Sequence, residues 1–243
     1  MQMARTTLEI TIPILNEEAI LEEKLIVLTK FLKEDLLFEG LISRVVVADN
    51  GSTDQSGQIM ARLCKEYPDL SYLRVDRIGV GLALKSSWLS SNADIVGYMD
   101  VDLATSLHHI KEVLDAIIKE DYDFVYGSRL HRDSMVIGRS LKREITSRAF
   151  NWILRKYLQI TFSDGMCGFK FMKRKLAIEL IHRGAKNDGW FFSTELLYLA
   201  ERLGYKLYEL PVEWHDSGDS KVDILKLSMK YLRAMHRIRK VHP

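Results

Sequence analysis

The chain has 243 residues, a formal net charge of +2, 47% hydrophobic and 28% charged residues, 14 Gly and 4 Pro. That composition excludes a disordered, collagen-like or low-complexity protein and suits one domain with at most a short appendage. No apolar run approaches the ~20 residues of a membrane span, the first residues lack a secretory apolar segment, and Cys64 and Cys167 make no disulfide framework, so the sequence reads as soluble and cytoplasmic.

In chain order, Leu8–Leu15 is apolar and β-rich and stops at Asn16-Glu17-Glu18. Ile20, Leu21, Leu25, Leu28, Phe31 and Leu32 then recur at helical spacing. Val45–Ala48 reads as a strand buried on both faces, ending in Asp49-Asn50-Gly51-Ser52-Thr53-Asp54 and a helix. Leu70–Val75 is a third strand, Val80–Ser90 a helix, and Ile95–Met99 a fourth strand that runs into Asp100-Val101-Asp102. A helix from Leu107 to Lys119 and a strand at Phe124–Tyr126 follow. The alternation predicts an α/β domain with a mostly parallel central sheet flanked by helices, whose ligands bind beyond the carboxyl ends of the strands. Polar residues stand at each of those ends: Asn16-Glu17, Asp49-Asn50, Asp76-Arg77, Asp100 with Asp102, and Ser128-Arg129.

The second half is less regular. Arg139–Tyr157 reads as a basic amphipathic helix. After the Asp164–Lys170 loop and a strand come helices through Leu176–Ile181 and over Ser193–Leu203, the latter stopped by Gly204. Tyr205–Val212 is a strand and Val222–Lys240 a helix. With no repeat and no linker, residues 1–220 form one domain and 221–243 a basic amphipathic extension. In that extension Ile224, Leu225, Leu227, Met229, Leu232, Met235 and Ile238 make an apolar stripe, suited either to a membrane surface or to packing on the body or a second copy.

Charge is uneven along the chain. Residues 129–156 hold eight Arg or Lys against Asp133 and Glu144, and residues 221–243 hold seven against Asp223, so the remainder is net acidic. Two basic blocks suit an anionic partner or two solvated helix faces. Without interleaved aromatics or a recognisable module they do not indicate nucleic acid. Neither a Gly-x-Gly-x-x-Gly turn after the first strand nor a Walker A loop is present, which argues against hydride transfer and P-loop phosphoryl transfer. Asp100-Val101-Asp102 points elsewhere: two carboxylates at the exit of a buried strand suit one Mg²⁺ or Mn²⁺ on a substrate diphosphate. His108-His109 reads as helix capping, Trp190, Phe191 and Phe192 as core, and Cys167 has no base partner that would make it a nucleophile.

Several short stretches together resemble the family 2 glycosyltransferases of GT-A fold, in particular the dolichyl- or polyprenyl-phosphate sugar synthases. They are Ile12-Pro13-Ile14-Leu15-Asn16-Glu17, Val47–Asp54, Met99–Asp102, Gly127-Ser128-Arg129, Ser147–Asn151, Asp164–Lys170, Thr194–Leu197, Glu209–Trp214 and Asp219–Val222. The resemblance implies inverting transfer of glucose or mannose from a UDP- or GDP-linked sugar to a polyprenyl phosphate, by a peripheral protein at the cytoplasmic face of a membrane. It implies that Pro13, Asn16 and Glu17 line the nucleoside pocket, that Asp49 holds the base, and that Arg77 and Lys85 lie close to the donor. Asp100, Val101 and Asp102 would meet the diphosphate, with Mg²⁺ or Mn²⁺ on Asp100 and Asp102. Arg129, Arg143, Ser147 and Arg148 would receive the acceptor phosphate, to which guanidinium forks are matched. Asp102 and Arg129 would act in catalysis, and Asp164 and Glu195 either orient the acceptor or serve the structure by capping a loop and pairing with Lys170 or Arg202. The chain departs from the mannosyl pattern at Leu103-Ala104-Thr105, where a Gln often follows, and at Ser193, where an Asp is usual. A soluble acceptor and a non-catalytic sugar-nucleotide binding module remain as alternatives.

Overall fold

A computed structural model describes residues 5–36, 40–216 and 224–241, and within the last stretch the side chains of 230–240. The first half alternates as the periodicity requires: β1 (Thr6–Ile14), α1 (Leu21–Lys30), β2 (Leu41–Asp49), α2 (Ser56–Glu66), β3 (Leu70–Arg74), α3 (Val80–Ser90), β4 (Ile95–Met99), α4 (His109–Leu114) and β5 (Phe124–Ser128). π-helical turns at Phe31–Asp35 and Asp115–Lys119 prolong α1 and α4. Then come β6 (Met135–Ile137), α5 (Leu141–Leu158), β7 (Phe169–Lys173), α6 (Arg174–His182), α7 (Phe192–Arg202), β8 (Leu207–Pro211), β9 (Glu213–His215) and α8 (Ile224–Val241).

Seven strands form one sheet in the order β3-β2-β1-β4-β7-β5-β8. All neighbours are parallel except at β7, which runs antiparallel between β4 and β5. The strands are buried on both faces because their side chains alternate between two cores. Ile95 and Met99 join Leu21, Leu25, Met60, Leu63 and Val113 on the α1, α2, α4 face. Val96 and Tyr98 join Trp88, Leu154, Leu180 and Leu196 on the α3, α5, α6, α7 face. The sequence pattern missed β6 and β9, which pair with each other in a separate ribbon, because three residues are too few to carry a period.

The chain reverses direction of progress at β1 and β4: β2 lies on one side of β1, β4 on the other. Such a switch point opens a crevice at the carboxyl ends of the strands. The central antiparallel strand fits only because Gly97 leaves room. A Cβ there would lie 2.1 Å from Cδ1 of Phe171, its partner on β7.

The described part of α8 lies on the body of the protein, with Tyr231, Ala234, Met235 and Ile238 in the second core. Of the stripe expected in the extension, Met235 and Ile238 are thus covered and Leu232 is exposed, while Ile224, Leu225, Leu227 and Met229 lie outside the described side chains. The proposed boundary at 220/221 and the Asp219–Val222 motif also lie outside the described residues. Among the described residues no helix is long and apolar enough to cross a membrane.

Gly97→Ala therefore overpacks the β4–β7 contact and should cost about 1–3 kcal/mol, read as a lowered thermal midpoint by circular dichroism. Gly97→Ala in a Phe171→Leu background should cost less than the two changes summed, because the ring that the new methyl meets is gone.

Candidate active site

The donor side is built where β1 and β2 end. Asn16 sits at φ 56°, a left-handed conformation that Asn tolerates, and its Oδ1 accepts from Thr53 N–H at 2.8 Å. Its own N–H donates to Ser52 Oγ at 2.9 Å, and Glu17 N–H to Ser56 Oγ at 3.2 Å. These bonds lace the two strand-end loops into one rim. Asp49, expected to hold a base, is buried and already accepts from Tyr72 Oη at 2.5 Å and Ser52 N–H at 2.7 Å, with Arg74 at 3.5 Å. Burial raises its pKa, and these partners outweigh burial and hold it below the usual carboxylate range. Pro13 is buried inside β1, and Arg77 is exposed after β3. Lys85, on α3, donates to Asp188 Oδ1 at 2.6 Å and to the Lys186 carbonyl at 3.0 Å.

At the exit of β4 the backbone turns tightly, with Leu103 N–H on the Asp100 carbonyl at 3.1 Å and Leu103 at φ 54°, strained for a branched side chain. Val101 is buried, and Asp102 Oδ1 accepts from Ala104 N–H at 3.0 Å. Asp100 Oδ1 is fully buried with no hydrogen-bond partner. Burial, then Asp102, raise its pKa to about 7 against the pull of Arg129 and Lys170, and Glu17 adds to the rise. Gly168 makes the fit possible: a Cβ there would lie 2.0 Å from Asp100 Oδ2. An orphaned buried carboxylate oxygen beside a second carboxylate is the donor set that a hard divalent cation requires, so Asp100 and Asp102 fit Mg²⁺ or Mn²⁺.

Facing this pair is a buried ion pair between β5 and the loop before β7. Arg129 Nε and Nη2 donate to the two oxygens of Asp164 at 2.8 and 3.0 Å, and Arg129 N–H donates to Oδ2 at 3.2 Å. The guanidinium lies 4.9 Å from the Trp214 ring centroid. Burial pushes the Asp164 pKa up, but Arg129 overrides it and holds the group at about 2. Lys170, also buried, donates to the carbonyls of Cys167 at 2.5 Å and Gly165 at 3.3 Å, and burial lowers its pKa to about 8. Burial raises the Cys167 thiol to about 12, consistent with its reading as a non-nucleophile.

The expected acceptor-phosphate residues are only partly gathered. Arg143 is paired with Asp216, and Arg148 reaches outward to Glu144 at 2.5 Å. Ser147 is half-buried, and its carbonyl accepts from Asn151 Nδ2 at 3.1 Å. Glu195 is buried, but its carboxylate accepts from Asn187 N–H at 2.8 Å and pairs with Arg237 of α8, not with Lys170 or Arg202. Burial raises its pKa against these partners.

Two residues escaped the sequence reading. Arg139 appeared only in the charge count and as the start of a basic helix, yet it is half-buried, donates to Glu144 at 3.0 Å, and has its pKa lowered by burial and then by Arg129. Lys170 was expected only as a motif residue and a possible partner of Asp164 or Glu195; its burial was not legible, because nothing local marks a lysine as buried.

The model of the family described as Glycosyl transferase family 2 matches residues 9–181. Glycosyltransferase AglD of Haloferax volcanii is 33% identical over 92% of this chain, which spans 35% of that protein's length. Dolichyl-phosphate beta-glucosyltransferase of Saccharomyces cerevisiae is 28% identical over 95% of this chain and 76% of its own. Among solved structures, glucosyl-3-phosphoglycerate synthase of Mycobacterium tuberculosis with Mn²⁺, UDP-glucose and phosphoglyceric acid shares the fold. Its TM-score is 0.65 at 19% identity, over 98% of this chain and 81% of that one.

The buried carboxylate has a measurable consequence. With its pKa near 7 in the fold and an ordinary value of 3.8, Asp100 holds a proton that the unfolded chain releases, so stability falls as pH rises from about 4 to about 7. In chelator at pH 8, Asp100→Asn should raise stability by on the order of 2 kcal/mol. Mn²⁺ with a nucleoside diphosphate should raise the melting temperature of the unaltered protein and leave that of Asp100→Asn unmoved, as read by differential scanning fluorimetry.

Proposed function

The chain belongs to glycosyl transferase family 2 and is a glycosyltransferase, and from that premise we propose that it moves glucose from UDP-glucose to the phosphate of a dolichyl- or polyprenyl-type lipid, with a divalent cation at Asp100 and Asp102. The observation that carries the reading is the buried Asp100 oxygen that has no hydrogen-bond partner, two residues from Asp102 and close enough to Arg129 for the guanidinium to lower its pKa. One side suits a metal-borne leaving diphosphate and the other an incoming phosphate. The yeast relative's name supports glucose and dolichyl phosphate. The mycobacterial structure, on the same fold, supports UDP-glucose as donor.

In the proposed step an acceptor phosphate oxygen forms a bond to the anomeric carbon as the bond from that carbon to the diphosphate oxygen breaks, with inversion. Bound Mg²⁺ or Mn²⁺ would supply charge neutralisation at the leaving diphosphate. Arg129 spends Nε and Nη2 on Asp164, which fixes the plane of the guanidinium and leaves Nη1 out of those bonds for the acceptor phosphate. Arg139, near enough for Arg129 to lower its pKa, adds positive charge on that side. A phosphate monoester is mostly dianionic above its second pKa of about 6, so it needs no base to activate it. That suits the carboxylates present: Asp164, held at about 2 by Arg129, is a poor proton acceptor, and the Glu195 carboxylate is engaged by Arg237 and Asn187. Asp164 acts through Arg129, as its anchor. The enzyme would meet its acceptor as a peripheral protein at the cytoplasmic face of a membrane.

Radiolabel transfer from UDP-glucose, with GDP-mannose as the contrast, into detergent-dispersed polyprenyl phosphate tests the reading. Label should enter the lipid phase from UDP-glucose, depend on Mn²⁺, and decline below about pH 6 as the acceptor gains a proton. Arg129→Gln should lower the rate about 10²- to 10³-fold, as expected for a lost charge-stabilising donor. Label only in a water-soluble product would move the acceptor to a soluble phosphate or sugar.

A further inference from the structure

After β8 leaves the sheet, the chain touches both halves of the site within four residues. Val212 N–H donates to the Ser128 carbonyl at 3.3 Å, next to Arg129. Glu213 N–H donates to His109 Nε2 at 2.9 Å, which hooks the segment onto α4. A backbone N–H can only donate, so that ring nitrogen accepts, and His109 Nδ1 carries the proton shared with Glu112 Oε1 at 2.8 Å. β9 then runs along the segment that follows Asp102. Ser106 N–H donates to the Glu213 carbonyl at 3.1 Å and His215 N–H to the Ala104 carbonyl at 2.8 Å, with Thr105 and Trp214 forming an antiparallel bridge between them.

The side chain of Trp214 meets the other half. The residue is 8% exposed and packs in the first core with Ala104 and Val212. The Arg129 guanidinium lies over its ring, 4.9 Å from the centroid. The two bonds from Arg129 to the Asp164 carboxylate constrain the guanidinium within its plane and leave it free to rock out of that plane. A ring face against the cation opposes that rocking. It also keeps water off one side of the charge, which strengthens its pull on an anion at the other.

The sheet alone sets the offset between the two halves poorly. Asp100 leaves β4 and Arg129 leaves β5, and β7 lies between those strands. β9 spans the gap directly, bonded to one half by its backbone and packed on the other through one side chain. We propose that Trp214 is a positioning residue for Arg129: its indole holds the guanidinium where the edge outside the Asp164 bonds meets the acceptor phosphate, at an offset from the Asp100–Asp102 turn that β9 fixes. The inference rests on the acceptor proposed above. In-line transfer requires the attacking oxygen about 3–3.5 Å from the carbon it attacks, so a displaced guanidinium slows the step even when both substrates are bound.

The test compares Trp214→Phe with Trp214→Leu, both of which shrink the same buried side chain, in the full chain with UDP-glucose, Mn²⁺ and detergent-dispersed polyprenyl phosphate. Trp214→Leu should lower kcat/KM for the acceptor about tenfold, the scale of a desolvated cation–ring contact, and Trp214→Phe, which keeps a ring face, should recover most of that loss. KM for UDP-glucose and the rise in melting temperature with Mn²⁺ and UDP should not move, because β9 meets the donor half through its backbone. Added to Arg129→Gln, Trp214→Leu should cost nothing further, since it acts through that guanidinium. Equal losses in the Phe and Leu variants, a loss that falls on KM for UDP-glucose, or losses that multiply in the double variant would overturn the inference. If the unaltered protein puts no glucose on lipid phosphate, the acceptor assignment falls instead, and melting of the ligand-free protein decides the positioning. The double variant should then melt less far below the unaltered protein than the two single shifts summed, and additive shifts would overturn the pairing.

Discussion

A guanidinium and a carboxylate, both withdrawn from water, join the end of β5 to the loop that precedes β7. Such a pair gains little net stability over an apolar replacement, but removing either member strands a buried charge at a cost of about 3–5 kcal/mol. What the pair secures is geometry. Asp164 anchors Arg129 through three donors and also accepts from Met166 N–H at 3.1 Å, which starts the turn that brings Gly168 against Asp100. Lys170 closes the same loop by capping two of its carbonyls. The antiparallel strand thereby enters the middle of a parallel sheet with its loop pressed against the Asp-x-Asp turn.

A second chain of contacts reaches the site from the C-terminal helix. Arg237 pairs with Glu195, whose other oxygen accepts from Asn187 N–H, and the next residue, Asp188, takes Lys85 of α3. Asp188 and Asn187 also lie directly over Gly79 and Gly81, where a Cβ would come within 2.4 and 2.3 Å of their carbonyl oxygens. The helix is thus part of the wall behind the donor side. Its basic residues point two ways: Arg237 pairs with a buried carboxylate, while Arg239 and Lys240 are exposed.

The carboxylates of the site are nearly all committed. Asp49 is held by Tyr72 and Ser52, Asp164 by Arg129, and Glu195 by Arg237, while Asp100 keeps an oxygen with no partner. An isolated buried anion is expensive, which is why Asp100 titrates near neutrality. The fold tolerates that cost at Asp100, at the exit of β4, and such exceptions mark functional sites.

Local pattern carried the strands and helices of the first half, the polar residues at the strand ends and the Asp-x-Asp turn, because period and strand-exit chemistry are written within ten or so residues. Fold family and reaction class were legible from the order of short motifs. Other features depend on partners far apart in sequence and were decided only in three dimensions: the antiparallel placement of β7, the pairing of Arg129 with Asp164, the burial of Lys170, and the orphaned oxygen of Asp100. The two basic amphipathic helices show the division most plainly. Sequence fixes that α5 and α8 each have an apolar side, but not what covers it. Packing puts Met235 and Ile238 of α8 in the core and leaves Leu141, Ile145 and Trp152 of α5 facing outward, because amphipathicity defines a face and only the tertiary contacts supply or withhold its partner.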